Sequence, residues 1–182
     1  MEIEKLDEKS KKVQENLKMI KDYVNTEKVP ESSLIKMARL RVSYKNWIKE
    51  QELDAVAFRC WDSLQKSLGI NPCLVMSMFS NELVPSACES DVMGALSMLA
   101  LQEAAAAPSG LVDWNNNFGE DPEKAILFHC GNFPKELYRC QGDDCPSANY
   151  AQILANALDR EKTYGTIEGQ IQSGPITFAR LS

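Results

Sequence analysis

Two short, nearly continuous apolar runs, DAVAFRC at 54–60 and VPSAC at 84–88, constrain the fold more than any other feature of the chain. Runs of that length without polar alternation are expected of strands buried on both faces. Between them lies INPCLVMSMFSNEL, which reads as a helix with Asn71 as N-cap and Pro72 in the first helical position. After the second run, SDVMGALSMLALQEAAAA reads as another helix. Ser90 or Asp91 caps it, and Val92, Leu96 and Leu99 share one face. Strand and helix alternating in this way predict parallel βαβ units, so the class up to about residue 107 is α/β.

Upstream, Leu6, Val13, Leu17, Ile20 and Val24 make one stripe of an amphipathic helix over residues 1 to about 26. TEKVPESS breaks the pattern, with Pro30 suited to a first turn. A second helix follows over Glu31–Glu50, with Leu34, Met37, Ala38, Leu40, Trp47 and Ile48 turned inward. Downstream of APSG the character changes. LVDW and AILFHC read as strands separated by the Asn-rich turn NNNFGEDPE, and a polar, Cys-containing segment runs to about residue 162. GTIEGQIQSGPITFARLS then carries short β-type runs broken by Gly and Gly-Pro. The expected organisation is a parallel-sheet βαβ domain over 1–107, then the beginning of a mostly-β C-terminal domain over 108–182. A two-stranded hairpin alone is marginal in water, so the last segment reads as the opening of a larger element.

The chain of 182 residues is 44% hydrophobic and 25% charged, enough apolar material for a real core. A net charge of -6 argues against nucleic acid as a partner, since phosphate binding needs clustered Lys and Arg. MEIEKLDEKSKK has no apolar h-region, and the longest uncharged run, Ser67 to Asn81, is too short to span a bilayer. A cytoplasmic protein without a membrane partner is expected. Four of the six cysteines (Cys60, Cys73, Cys88 and Cys130) sit in apolar runs, where free Cys behaves as a small hydrophobe, so no disulfide framework is expected. Cys140 and Cys145, in CQGDDC, suit a loop clip or half of a zinc site. No second Cys/His pair at finger-like spacing follows, and the only histidine is His129.

Three groups able to bind metal or move protons end successive strand-like runs. Glu89 follows VPSAC, Asp113 follows GLV, and His129 follows AILF. If those strands are neighbours pointing the same way, the three converge where open α/β sheets bind ligands. Two carboxylates and an imidazole suit a Mn²⁺-type ion with open positions. Such an ion, chelating a carbonyl and the adjacent hydroxyl, acidifies the groups between them, and a nearby carboxylate can move the proton. That chemistry is aldose–ketose isomerisation through an enediol. Each residue has a plainer reading too. Glu89 suits a helix dipole, Asp113 a turn, and His129 a hydrogen-bonded core or loop position.

CWDSLQ, ACESDVMGALSMLAL, LVDWNNNFG and LFHCGNFP, followed by TYGTIEGQIQSGPITFARLS, resemble the L-fucose/L-arabinose isomerase family, in its fucose-isomerase-like branch. The resemblance runs from about Lys21 to Ser182 and is most specific between Asp54 and Pro134. It implies a ketol isomerase of carbohydrate metabolism in which a Glu and an Asp, 24 positions apart, hold Mn²⁺ and transfer the proton. Glu89 and Asp113 match that pair in context and spacing. A histidine near metal and substrate in the arabinose isomerases matches His129, 16 positions beyond Asp113. By the same resemblance Arg59, Trp61 and Gln65, with Trp114 and Asn115, are candidate substrate contacts; for the two tryptophans packing is the plainer role.

The resemblance also carries departures. Family members are several hundred residues long, so this chain is expected to correspond to their central-to-C-terminal portion, starting inside a second α/β domain. A further metal-binding histidine of the last domain has no counterpart. Family members are oligomers with shared pockets, so a homo-oligomer or association with the absent segments is expected. The resemblance does not choose among fucose, arabinose and related or sulfonated sugars. Two alternatives stand beside it: a non-catalytic remnant or subunit pairing with separately encoded pieces, and a small metal protein using Cys140, Cys145 and His129.

Overall fold

In the computed structural model, which describes residues 3–182, the first long helix starts at a serine rather than at the beginning of the chain. Asp7 turns the backbone by accepting from the N–H groups of Lys9 and Ser10, and the Ser10 hydroxyl then accepts from the Val13 N–H. Helix α1 therefore covers Lys11–Tyr23. The helix expected from residue 1 is reduced at its start to a single 3-10 turn over Ile3–Lys5, and residues 1 and 2 lie outside the described residues. Val13, Leu17 and Ile20 pack against α2, Glu31–Glu50, which has the expected bounds. Leu34, Met37, Ala38, Leu40 and Ile48 are buried, whereas Trp47 is 41% exposed and lies edge-on to Tyr44. Arg41 takes an interior place instead. Its guanidinium meets Asn16 and Glu82 and lies 5.7 Å from the centre of the Phe79 ring, partners that a fully buried cation requires.

Strands β1, Val56–Ala57, and β2, Ser86–Ala87, pair in parallel. An irregular turn over Cys60–Leu64, α3 (Gln65–Leu68) and α4 (Cys73–Asn81) connect them. Asn71 is not the cap of α4. Pro72 occupies that place, its carbonyl accepting from Met76 N. The Asn71 side chain is instead fully buried, bonded to Gln65 and to the Thr163 carbonyl, while its N–H donates to Tyr164 O at 2.8 Å. A cap that also has to face water cannot serve as such a clasp.

Helix α5, Val92–Ala105, is capped by the Asp91 carboxylate, which accepts from Gly94 N at 2.8 Å. The expected inward face is not the one used: Val92 and Leu96 are 60% and 43% exposed, and Leu99 is only partly buried. Ala95 and Met98 pack against Ala87 and Leu111 instead. Ala95 brings the helix axis close to the two short strands with Met98 beside it, while Val92, Met93 and Leu96 are left outside.

The next two strands, β3 (Asp113–Phe118) and β4 (Asp121–Phe128), form an antiparallel hairpin. Gly119, at φ 58°, makes the turn. Asn115, Asn116 and Asn117 therefore lie in the strand rather than in the expected turn. Beyond it, Cys140 and Cys145 are joined in a disulfide, which removes them as zinc ligands, and the other four cysteines are free. The segment expected to be merely polar contains β5 (Ser147–Tyr150) and α6 (Gln152–Leu158); β5 pairs antiparallel with β6 (Tyr164–Glu168). From Gly169 on there is no strand, so the β-type run ITF stays irregular. The result is a mixed α/β fold with three two-stranded sheets among the described residues. No helix among these residues is long and apolar enough to cross a membrane.

One core joins the two ends of the chain. Phe133, Tyr138, Ala148, Tyr164 and Ile167 belong to the same apolar cluster as α1, α2 and α4. Met37, Leu74, Val75 and Met76 are fully buried there, and each such side chain stabilises the fold by roughly 1.5–3 kcal/mol.

A polar relay fixes the segment after His129 to this core. The Ser77 hydroxyl donates to Phe133 O, and the Tyr23 hydroxyl contacts Ser77 Oγ at 2.9 Å and accepts from Lys135 N at 2.8 Å. Burial pushes the Tyr23 phenol up from 10.0 to about 12, against the opposing effect of those hydrogen bonds. A raised folded value means that this contribution to stability is complete below pH 10 and disappears as the pH climbs towards about 12. Urea unfolding across that window is expected to show a falling stability whose slope Tyr23→Phe reduces; an unchanged slope in the variant would remove Tyr23 as a source of it.

Candidate functional site

The parallel pairing of β1 and β2 ends in two consecutive left-handed residues. Phe58 N donates to Ala87 O, Ser90 N donates to Phe58 O, and between them Glu89 and Ser90 sit at φ 60° and 59°. Non-glycine residues in that region cost about 1–2 kcal/mol each. The conformation is held by the Ser90 bond and by Glu89 N–H donating to Cys60 Sγ at 3.2 Å. Glu89 is thus separate from the helix cap, which Asp91 supplies. Its side chain is exposed, and among the described residues it has no hydrogen bond or ion pair.

Asp113 and His129 arrive from the hairpin. Asp113 opens β3 opposite Phe128, so its neighbour across the strands is followed directly by His129. The expected picture of same-direction strands is replaced by the base of an antiparallel hairpin, and register rather than strand direction places the two residues together. Further along, Asn132 Nδ2 donates to Ser86 O at 3.4 Å and Gly131 O accepts from Ile167 N at 3.2 Å. These bonds hold the HCGN stretch between β2 and β6.

His129 is buried, with its ring edge-on to Phe133. Its Nδ1 accepts from Cys130 N at 2.8 Å, so in the neutral imidazole Nε2 carries the proton. Burial pushes its pKa below the usual value, although Asp113, Glu89 and Asn132 pull the other way. Burial likewise raises the Cys130 thiol to about 11, helped by Cys60 and the same two carboxylates.

Glu89, Asp113, Trp114 and His129 all line one open groove of about 1330 Å³. The remaining expected contacts are placed elsewhere. Arg59 is exposed beyond β1, Trp61 is half-exposed in the irregular turn, and Asn115 lies on the exposed hairpin; none of the three lines the groove. Gln65 is 2% exposed and donates to Asn71 in the core. The groove's far wall was not anticipated at all. It is the irregular tail, where Phe178 approaches Trp114 at 6.5 Å and Arg180 pairs with Asp91. The Asp91 carboxyl is held below its ordinary value chiefly by that bond to Arg180. A partner 89 residues away leaves no local sequence signal.

The donor types fit a hard divalent cation, since carboxylate oxygens suit Mn²⁺ or Mg²⁺ and imidazole suits Mn²⁺. The set is short of a complete centre: among the described residues no three His, Cys, Asp or Glu side chains lie close enough to hold a metal ion together.

Residues 127–182 match the sequence model of a domain described as L-fucose isomerase, C-terminal domain. The chain is 31% identical over 151 residues to a sulfoquinovose isomerase of Alkalicoccus urumqiensis, covering 83% of this chain and 32% of that protein. It is 32% identical over 101 residues to a sulfoquinovose isomerase of Priestia aryabhattai, covering 56% of this chain and 23% of the relative. The similarity to the L-fucose isomerases is thus carried by residues 127–182. It matches about a third or less of the length of these curated isomerases. No solved structure matches it at comparable strength. The domain match takes in His129, the Gly131 contact and the whole tail wall, whereas Glu89 and Asp113 lie before its first residue.

Proposed function

We propose that this chain carries part of the active site of a sugar isomerase that interconverts an aldose and a ketose through an enediol. The observation that carries the reading is the groove shared by Glu89, Asp113 and His129, found in a chain related to isomerases. Glu89 takes the proton from the carbon beside the carbonyl and returns it to the neighbouring carbon; its carboxylate is exposed and has no partner among the described residues. Asp113 is the second member of the pair. Mn²⁺, or another divalent cation held by Glu89 and Asp113, would polarise the carbonyl and adjacent hydroxyl. His129 in its present tautomer donates from Nε2 to a sugar oxygen. Trp114 offers an apolar face for the sugar ring.

The relatives named as sulfoquinovose isomerases make a sulfonated sugar the first substrate to test. A sulfonate needs a cation, and Arg180 is the Lys or Arg residue on the groove wall among the described residues. In this reading β1 and β2 belong to a larger parallel sheet in the 1–107 part, and the mostly-β part lies in 108–182. The enzyme would work in the cytoplasm, as an oligomer. The exposed apolar side chains of Trp114, Phe118, Ile126 and Phe128 on the hairpin support association with further polypeptide. They also favour a second reading, a non-catalytic subunit completed by separately encoded pieces.

The test is turnover of a sulfonated aldose and of L-fucose, followed by ketose formation, in chelator and after Mn²⁺ is returned. Turnover abolished by chelator and restored by Mn²⁺ is expected. Turnover indifferent to chelator would overturn the metal-assisted reading, and tight Mn²⁺ binding without turnover would favour the subunit.

A further inference from the structure

We infer that the Cys140–Cys145 disulfide is a thiol-exchange site whose state controls the tail wall of the groove. The two sulfurs belong to exposed residues five positions apart, whereas Cys60, Cys73 and Cys88 are buried. A reductant in solution therefore meets this pair first. Exposed disulfides are the exchangeable ones, and in a reducing compartment such a bond acts as a sensor rather than a permanent staple.

The location gives the exchange a consequence. Within the loop, Gln141 and Asp144 bond to each other through their backbones, and Arg139 pairs with Asp144. Just before the loop, Arg139 N donates to Gln170 O and Leu137 O accepts from Gln172 N, both at 2.8 Å. Just after it, Ser147 pairs with Glu168. The disulfide thus ties together the two segments that grip residues 168–172 from either end. Leu137, Tyr138, Gln170, Ile171 and Gln172 line the groove themselves, and the chain continues from them to Phe178 and Arg180 on the same wall. Opening the loop frees one grip from the other.

The step is a two-electron exchange with a dithiol. One thiolate of the dithiol attacks a sulfur of the pair, and its second thiol displaces the mixed disulfide. The protein S–S bond is reduced to two S–H groups while the dithiol is oxidised to its own disulfide. A disulfide oxidant closes the loop again by the reverse path.

Dithiothreitol treatment of the full chain under native conditions, followed by iodoacetamide and mass mapping, is expected to label Cys140 and Cys145 and leave Cys60, Cys73 and Cys88 unlabelled. Hydrogen exchange at the Arg139 and Gln172 amides is expected to accelerate about tenfold in the reduced protein, while the Asn71 amide in the core is unchanged. The double variant Cys140→Ser, Cys145→Ser should show the fast pattern with or without dithiothreitol. Equal exchange at Arg139 and Gln172 in oxidised and reduced protein would overturn the inference, as would a disulfide that yields only when Asn71 also loses protection. None of these readouts involves turnover, so they stand apart from the isomerase reading.

Discussion

Glu89→Gln is expected to lower kcat for sugar isomerisation by about 10³-fold and to leave the fold intact. The carboxamide keeps the shape and hydrogen-bonding capacity of the side chain but cannot accept and return a proton. The side chain is exposed and has no partner among the described residues, so the stability change should stay within about 0.5 kcal/mol. The neighbouring acid supplies the contrast. Asp91 caps α5 through Gly94 N and pairs with Arg180, so Asp91→Ala should lower the melting temperature and reduce kcat only modestly. Steady-state kinetics and thermal melts on the two variants separate proton transfer from capping. Full activity in Glu89→Gln would end its assignment as the proton carrier.

The cap of α5 at Asp91 was legible because capping has a short-range rule: a carboxylate serves the N–H groups two or three residues ahead. The α2 bounds were legible for the same reason, since twenty residues with a helical apolar stripe follow a proline. Other features depend on what lies across the fold. Arg41 reads as one more surface charge until Glu82, 41 residues on, and Phe79 are seen around it. Gln65 reads as a polar group near a strand end, but its partner is Asn71, which itself reaches Thr163. Helix α5 turns Val92, Met93 and Leu96 outward because Ala95 meets Ala87 of β2 and Met98 fills the space beside them. Asp113 and His129 reach one groove by the register of a hairpin whose turn is shorter than the expected NNNFGEDPE, since the run of asparagines resembles a loop but lies in β3.

The site's dependence on distant backbone is sharpest at Gly131, and Gly131→Ala is expected to destabilise the fold by about 4 kcal/mol. Two costs combine there. Its φ of 82° lies where an L side chain is strained, and a Cβ would overlap the Ile167 carbonyl oxygen while coming 2.7 Å from the Ile167 nitrogen. Neither atom is the end of a flexible side chain. Both belong to β6, which is anchored in the core through Asn71 and Tyr164, so β6 cannot step aside cheaply. The HCGN stretch must then move instead, losing the Ile167 N–H bond to Gly131 O and shifting His129 two residues upstream. Gly119→Ala is the matched control: its φ is 58° but nothing lies within 4 Å of the added carbon, so only strain of about 1 kcal/mol is expected. In thermal melts Gly131→Ala should fall by about 10 °C and Gly119→Ala by about a quarter of that. Equal losses would show that backbone strain alone sets the requirement for glycine, and that the close approach of β6 does not position His129.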